Sequence, residues 1–304
     1  MEEIRYIKNN HIDLLKWDAC IRQSPQGLMY VYSWFLNVVS PGWDALVLGD
    51  YTAVMPLTHR RKWGVCYLYQ PAFCAEAGVF STAEMDALLV QRFLRSIPKK
   101  FRYVDICLNR SNLFNLTDYV FIERINYVLL LGRSYEEILA GYSENHKRNI
   151  QKARKQGLNV VDVLVDEAIQ LVCDHIKNNP FKTHSDKEIF RHLFSQVQKK
   201  NAAICLGVKN SKGLLLSCAV FFYSQHQWYY LIAGSTEEGK KNGAAHLLVD
   251  TFIRQHAGTK QVLDFEGSDV ESVAFFYRGF GSEKIHYPYL RMNRLPFWLS
   301  FFKK

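Results

Sequence analysis

The chain has 304 residues, 48% of them hydrophobic and 22% charged, enough for one large domain or two of ordinary size with a sizeable core. With 17 Gly, 8 Pro and no low-complexity run, it is neither a disordered nor a fibrous chain, and no apolar stretch is long enough to span a bilayer. A formal net charge of +9 favours anionic partners without choosing among coenzyme A, a nucleotide-linked sugar, transfer RNA and an anionic membrane surface.

Met1-Glu2-Glu3 is acidic and leads into no apolar run, so no signal peptide is expected. A strand over 4–7 is followed by an amphipathic helix over about 11–23 and a second helix after Ser33. Residues 43–48 and 51–57 read as a hairpin around Gly49-Asp50, with Pro56 marking a bulge or an edge. A third strand over 63–69 places Trp63, Val65, Tyr67 and Tyr69 on one face. Ser81-Thr82-Ala83-Glu84 has the form of a capping box opening a helix to about Ser96, and strands follow over 102–108 and within 120–131.

Ser134-Tyr135-Glu136-Glu137 is a second capping box. The helix expected over 143–156 is dense in charge and stops at Gly157. Ile150 and Ala153 turn to the core, while Arg148, Lys152 and Lys155 line another face, either a solvated basic helix or an anion-binding wall. Strands over 202–209, 214–223 and 228–233 then form an antiparallel meander. Next comes a loop, Gly239-Lys240-Lys241-Asn242-Gly243-Ala244-Ala245, opening a helix over 246–256 whose free N–H groups and positive dipole end suit phosphate. In a last short strand over 261–266, Asp264 and Glu266 alternate with Leu263 and Phe265 and share a face; an aromatic helix around Phe275-Phe276-Tyr277 follows. The seven cysteines, odd in number and without a Cys-x-x-Cys pair, read as reduced thiols of a cytoplasmic protein, and no metal site is expected.

This order resembles the GNAT acyltransferases. Lys240-Lys241-Asn242-Gly243-Ala244-Ala245 is similar to the Arg/Gln-x-x-Gly-x-Gly/Ala loop that holds the pyrophosphate of acyl-coenzyme A, with Lys in the first position. Phe276-Tyr277-Arg278-Gly279-Phe280-Gly281 looks like the family's Leu-Tyr-Glu-Lys-x-Gly segment, although the Asn that usually lies seven residues before the Tyr is Val270. The first half repeats the outline of the second, but its loop, Glu76-Ala77-Gly78-Val79-Phe80, lacks a pyrophosphate cradle. Between them, the segment from Asn145 to Gly157 resembles one found in FemAB-type transferases, which join two GNAT-like halves.

The resemblance implies an α/β protein of mixed sheets with two GNAT-like domains in tandem: a degenerate one over 1–133, a basic helical connection over 134–157, and a domain over 158–304 carrying the cofactor loop. It implies transfer of an acyl group, acetyl in the simplest case, from acyl-coenzyme A to an amine in a cleft between the domains. FemAB-type transfer from aminoacyl-tRNA to a peptidoglycan precursor and an inactive GNAT-like binding module are the alternatives. Such a transfer needs a base for the ammonium acceptor and an acid for the leaving group. Glu266 at the strand's end is the expected base, with Asp264 second, and Tyr277 the expected acid; the competing readings are carboxylates that cap the next helix and a tyrosine of the core. His226 and His246 are further candidate bases. The aromatic, basic tail over 294–304 is either a cover for the core or an anchor at the inner membrane surface.

Overall fold

The computed structural model describes residues 2–267 and 269–295, which form two compact units. The first gathers the chain up to Arg124 and again from His286; the second is the continuous stretch from Ile125 to Ile285. Neither expected boundary, at 133 or at 157, is a boundary of these units. The basic helix is built into the second unit, and the last strand of the described residues returns to the first.

In the first unit, β1 (Ile4–Ile7), α1 (Leu14–Gln23), α2 (Ser33–Val39), β2 (Asp44–Leu48), β3 (Ala53–Leu57), β4 (His59–Lys62), β5 (Val65–Tyr69), β6 (Phe80–Ser81), α3 (Ala87–Arg95) and β7 (Phe101–Cys107) follow in order. One antiparallel sheet runs β1-β2-β3-β6, and β6 reaches only Ala53 and Val54, so no strand needs the N–H that Pro56 lacks on that side. Trp63 is not in a strand. With Gly64 it forms the turn of the β4–β5 hairpin, both residues at positive φ, and its ring is 89% exposed. Ser81 does not open a helix either: it is buried in β6, and α3 begins six residues later, where the Asp86 carboxylate accepts from Leu89 N at 2.6 Å. Phe93, Leu94, Val104 and Ile106 form the centre of this unit's core.

Strand β8 (Phe121–Leu130) carries the chain into the second unit, followed by α4 (Tyr135–Ala140), α5 (Glu144–Lys155), β9 (Asn159–Asp162), α6 (Val165–His175), α7 (His184–Gln198), β10 (Ala203–Lys209), β11 (Leu215–Ser224), β12 (Gln227–Ser235), α8 (Glu237–Lys241), α9 (Ala244–His256), β13 (Val262–Asp264) and α10 (Glu271–Arg278). The sheet order is β8-β13-β12-β11-β10-β9, with the expected antiparallel meander over β10–β12. β12 and β13 run parallel and pair only from Gln227 to Tyr229 against Val262 to Asp264, so beyond that point β12 continues to Ser235 paired with β11 but not with β13. Phe252 of α9 stacks on Phe221 with ring centroids 3.8 Å apart, fixing the helix on the sheet. Finally β14 (Glu283–Asn293) pairs antiparallel with β7 in the first unit. The cysteines are all free thiols. No helix among the described residues is long and apolar enough to cross a membrane. The anchor expected over 294–304 lies outside the described residues beyond Leu295; Arg294 itself donates from Nη1 to Ile97 O at 3.3 Å.

Candidate functional site

Beyond Tyr229 and Asp264 the parallel strands β12 and β13 part, and the carboxyl ends of such strands are where open α/β sheets take their ligands; the loop expected to hold pyrophosphate follows β12 in the chain. The expected loop there is shorter than the sequence suggests. Thr236 accepts from Gly239 N at 3.0 Å and caps α8, so Lys240 and Lys241 lie in a short helix and only Asn242 and Gly243 separate it from α9. Lys240 Nζ is 2.6 Å from Glu237 Oε1.

Gly243 adopts φ +73° at the N-cap of α9, and a Cβ there would fall on the carbonyl oxygen of Asn149 in α5, 3.0 Å from its carbon. The close approach that demands glycine is therefore made by another helix. Lys152, expected on an anion-binding wall, donates from Nζ to Lys241 O at 2.6 Å and so ties α5 to the negative end of α8. Arg148 and Lys155 are exposed beside it.

Asp13, Asp86, Ser143 and Thr183 cap their helices with a side chain, whereas Gly243 offers none. Among the described residues no acceptor meets the N–H groups of Ala244, Ala245 and His246. The first turn of α9 thus keeps unpaired N–H groups at the positive end of its dipole.

At the end of β13 the two carboxylates do not share a strand face as expected, because the strand stops at Asp264 and Glu266 turns to φ +65°. Asp264 is buried and densely hydrogen-bonded. Its Oδ1 accepts from Asn126 Nδ2 and from Glu266 N, each at 2.8 Å, and its Oδ2 accepts from Gln227 Nε2 at 2.8 Å. Three donors occupy most of its acceptor sites, and it holds β8, β12 and the Glu266 turn together. Glu266 is half-buried, with its backbone in the left-handed region that costs a non-glycine residue roughly 1–3 kcal/mol.

Tyr277 is 8% exposed, stacked on Phe265 with centroids 4.7 Å apart and edge-on to Tyr230 at 6.1 Å. Burial pushes its hydroxyl well above the ordinary tyrosine range, and the nearby charges of Glu266 and Asp264 push the same way. The structure therefore brings Asp264, Glu266 and Tyr277 together, with Tyr277 inside the core. On the same helix, Phe276 meets His246 of α9 at 4.9 Å, linking this cluster to the open helix start.

His146 is a participant that sequence reasoning missed. It is fully buried, 4.6 Å from the His246 ring; Nε2–H donates to Phe276 O at 2.8 Å and Nδ1 accepts from Ser143 Oγ at 3.0 Å. Its spacing with Ile150 and Ala153 on the apolar face of α5 was the available signal. Gly279 makes room for it, since a Cβ would overlap the His146 ring. Burial, with His146 as neighbour, pushes His246 down to about 4, so it is a neutral imidazole near pH 7. Asn126 and Gln227 carried no local signal, because only the sheet topology brings them to Asp264. His226, also a candidate base, lies in the β11–β12 turn at φ +64°.

No family model matches this sequence, and no curated protein matches it. Solved structures do. FemX superposes with a TM-score of 0.63 at 14% identity, covering 95% of this chain and 98% of that one. A tandem GNAT protein from the clavulanic acid biosynthesis pathway gives 0.52 at 9% identity, over 97% and 99% of the two chains. L-PGS from Bacillus licheniformis gives 0.51 at 10% identity, over 86% and 87%. The chain has the tandem GNAT, FemAB-like fold of these structures, with two GNAT-like domains.

Proposed function

We propose that this protein is an acyltransferase moving an acyl group from acyl-coenzyme A to an amine, with the donor's pyrophosphate at the first turn of α9. The observation that carries this reading is the set of unmet N–H groups at Ala244, Ala245 and His246, together with the separation of β12 from β13. Lys240 and Lys241 add point charges, and the exposed Arg148 and Lys155 extend the positive surface along α5. Glu266 is the proposed base for the amine. Asp264 positions its turn, and Tyr277 acts as a hydrogen-bond donor to the leaving group, its raised pKa keeping it protonated throughout.

A second reading is FemAB-type transfer from aminoacyl-tRNA to a cell-wall precursor, favoured by the likeness to FemX over nearly the whole chain. A basic helix next to an open helix terminus serves a nucleic-acid phosphate as well as a pyrophosphate. Calorimetric titration of the full chain with acetyl-coenzyme A separates the two. Saturable binding that weakens on Lys240→Glu/Lys241→Glu supports the first reading. Absence of binding, with a salt-dependent complex with tRNA, would replace it by the second.

A further inference from the structure

Away from the α9 terminus, α4 and α5 leave a groove of about 360 Å³ between them, lined by Tyr135, Leu139 and Ala140 on one side and Lys147, Ile150 and Arg154 on the other. Its size is at the lower end of the range for small-molecule sites. We propose that it binds an organic anion with a short aliphatic body, the charge meeting Arg154 and Lys147 and the body lying on Leu139, Ala140 and Ile150.

The charge pattern supports an anion, since two cations of the lining face a single acid, Glu136. The stronger argument is how Arg154 is held. Its Nη2 donates to Asp250 Oδ2 at 2.8 Å, and Asp250 Oδ1 accepts from the Tyr135 hydroxyl at 2.8 Å. Asp250 is fully buried, whereas Arg154 is half exposed. A surface arginine needs no buried counter-ion, and sequestering a carboxylate is costly unless its partners are fixed in good geometry. Here that carboxylate pins two residues of the groove wall. Among the described residues no second carboxylate comes within ion-pairing distance of Arg154; Asp250 and the Tyr135 hydroxyl hold its planar fork in one orientation, and its half-exposed remainder lines the groove. Among the described residues Lys147 pairs only with Glu144, at 3.0 Å and one turn away on the surface, a pairing weak enough to yield to a ligand.

The groove uses Lys147, Ile150, Gln151 and Arg154, a different stripe of α5 from Arg148, Lys152 and Lys155, so it does not depend on the reading of the α9 terminus. Octanoate is the probe, titrated into the full chain by calorimetry. One saturable site is expected, and Lys147→Glu/Gln151→Glu should weaken it by about tenfold. Neither residue touches Asp250, so the variant should melt with the parent and bind acetyl-coenzyme A as the parent does. Octanamide, equally apolar but neutral, should bind at least about tenfold more weakly than octanoate. The proposal is overturned if octanoate does not saturate a site, if the double variant binds it unchanged, or if octanamide binds equally well.

Discussion

Gly243→Ala isolates what the glycine at the start of α9 is for. An alanine held at φ +73° pays the left-handed penalty of roughly 1–2 kcal/mol. Its Cβ would also overlap the Asn149 carbonyl oxygen and sit 3.0 Å from the carbonyl carbon, where carbon atoms prefer roughly 3.5–4.0 Å. The obstacle is helix backbone, so α5 itself must shift, and overpacking of that kind adds about 1–3 kcal/mol. The total, about 2–5 kcal/mol, is a large share of the 5–15 kcal/mol that typically holds a domain together. It corresponds to a fall in Tm on the order of 5–15 °C. Gly157→Ala is the control, because φ there is +66° but nothing lies within 4 Å of the added Cβ. It should lose only the conformational part, about 1–2 kcal/mol. Thermal unfolding followed by circular dichroism at pH 7 compares the two. If both variants melt together, Asn149 is not what requires the glycine. Acetyl-coenzyme A titration of Gly243→Ala well below its melting point then reads the ligand's share separately.

Tyr277→Phe should lower turnover by roughly 10 to 1,000-fold with little change in KM if the hydroxyl meets the leaving group; intact turnover with a lower Tm would make Tyr277 a core residue alone. Asp264→Ala strands the donors on Asn126, Gln227 and Glu266 and should cost about 3 kcal/mol or more in urea unfolding; a loss below about 1 kcal/mol would contradict the role of these three bonds. Although burial pushes the Asp44 carboxyl up, His59, Tyr6 and the Asn9 N–H together hold it down at about 2. Its folded pKa is below the unfolded one, so its contribution of about 2 kcal/mol is present above pH 4 and lost between about pH 4 and pH 2; Asp44→Asn should flatten that limb of the stability curve. His246 behaves differently. Held at about 4 when folded, it lets the unfolded chain take up a proton first as pH falls from 6.5, so stability declines over that window and His246→Gln should recover roughly 1–2 kcal/mol of the decline at pH 4.5.

Local chemistry was legible wherever neighbours in sequence are also neighbours in space. Ser134 and Glu137 form their capping box, Gly157 ends α5 at positive φ, and the meander over β10–β12 has the expected order. The errors arose where several local signals competed. Trp63 has strand propensity, but Gly64 supplies a turn, and the basic run before it becomes the other arm of the hairpin. Ser81 resembles an N-cap, yet pairing with Ala53 claims it for a sheet and leaves Asp86 to cap the helix. Alternation along 263–266 assumed a continuous strand, and the turn at Glu266 breaks it. The Asn126 and Gln227 partners of Asp264 and the burial of His146 depend on contacts 37 to 138 residues apart in sequence, which no periodicity records.

The division of the chain also reverses the usual order of assembly. Domains ordinarily close from the N-terminus as the ribosome delivers them. Here the second unit is one uninterrupted stretch, complete once Ile285 has emerged, while the first still lacks β14 and the pairing of Tyr289–Asn293 with β7. The earliest-made unit is therefore the last to finish. Until then the edge of β7 that will receive Cys107 to Tyr103's partners stays unpaired, an exposed strand edge of the kind that recruits other chains.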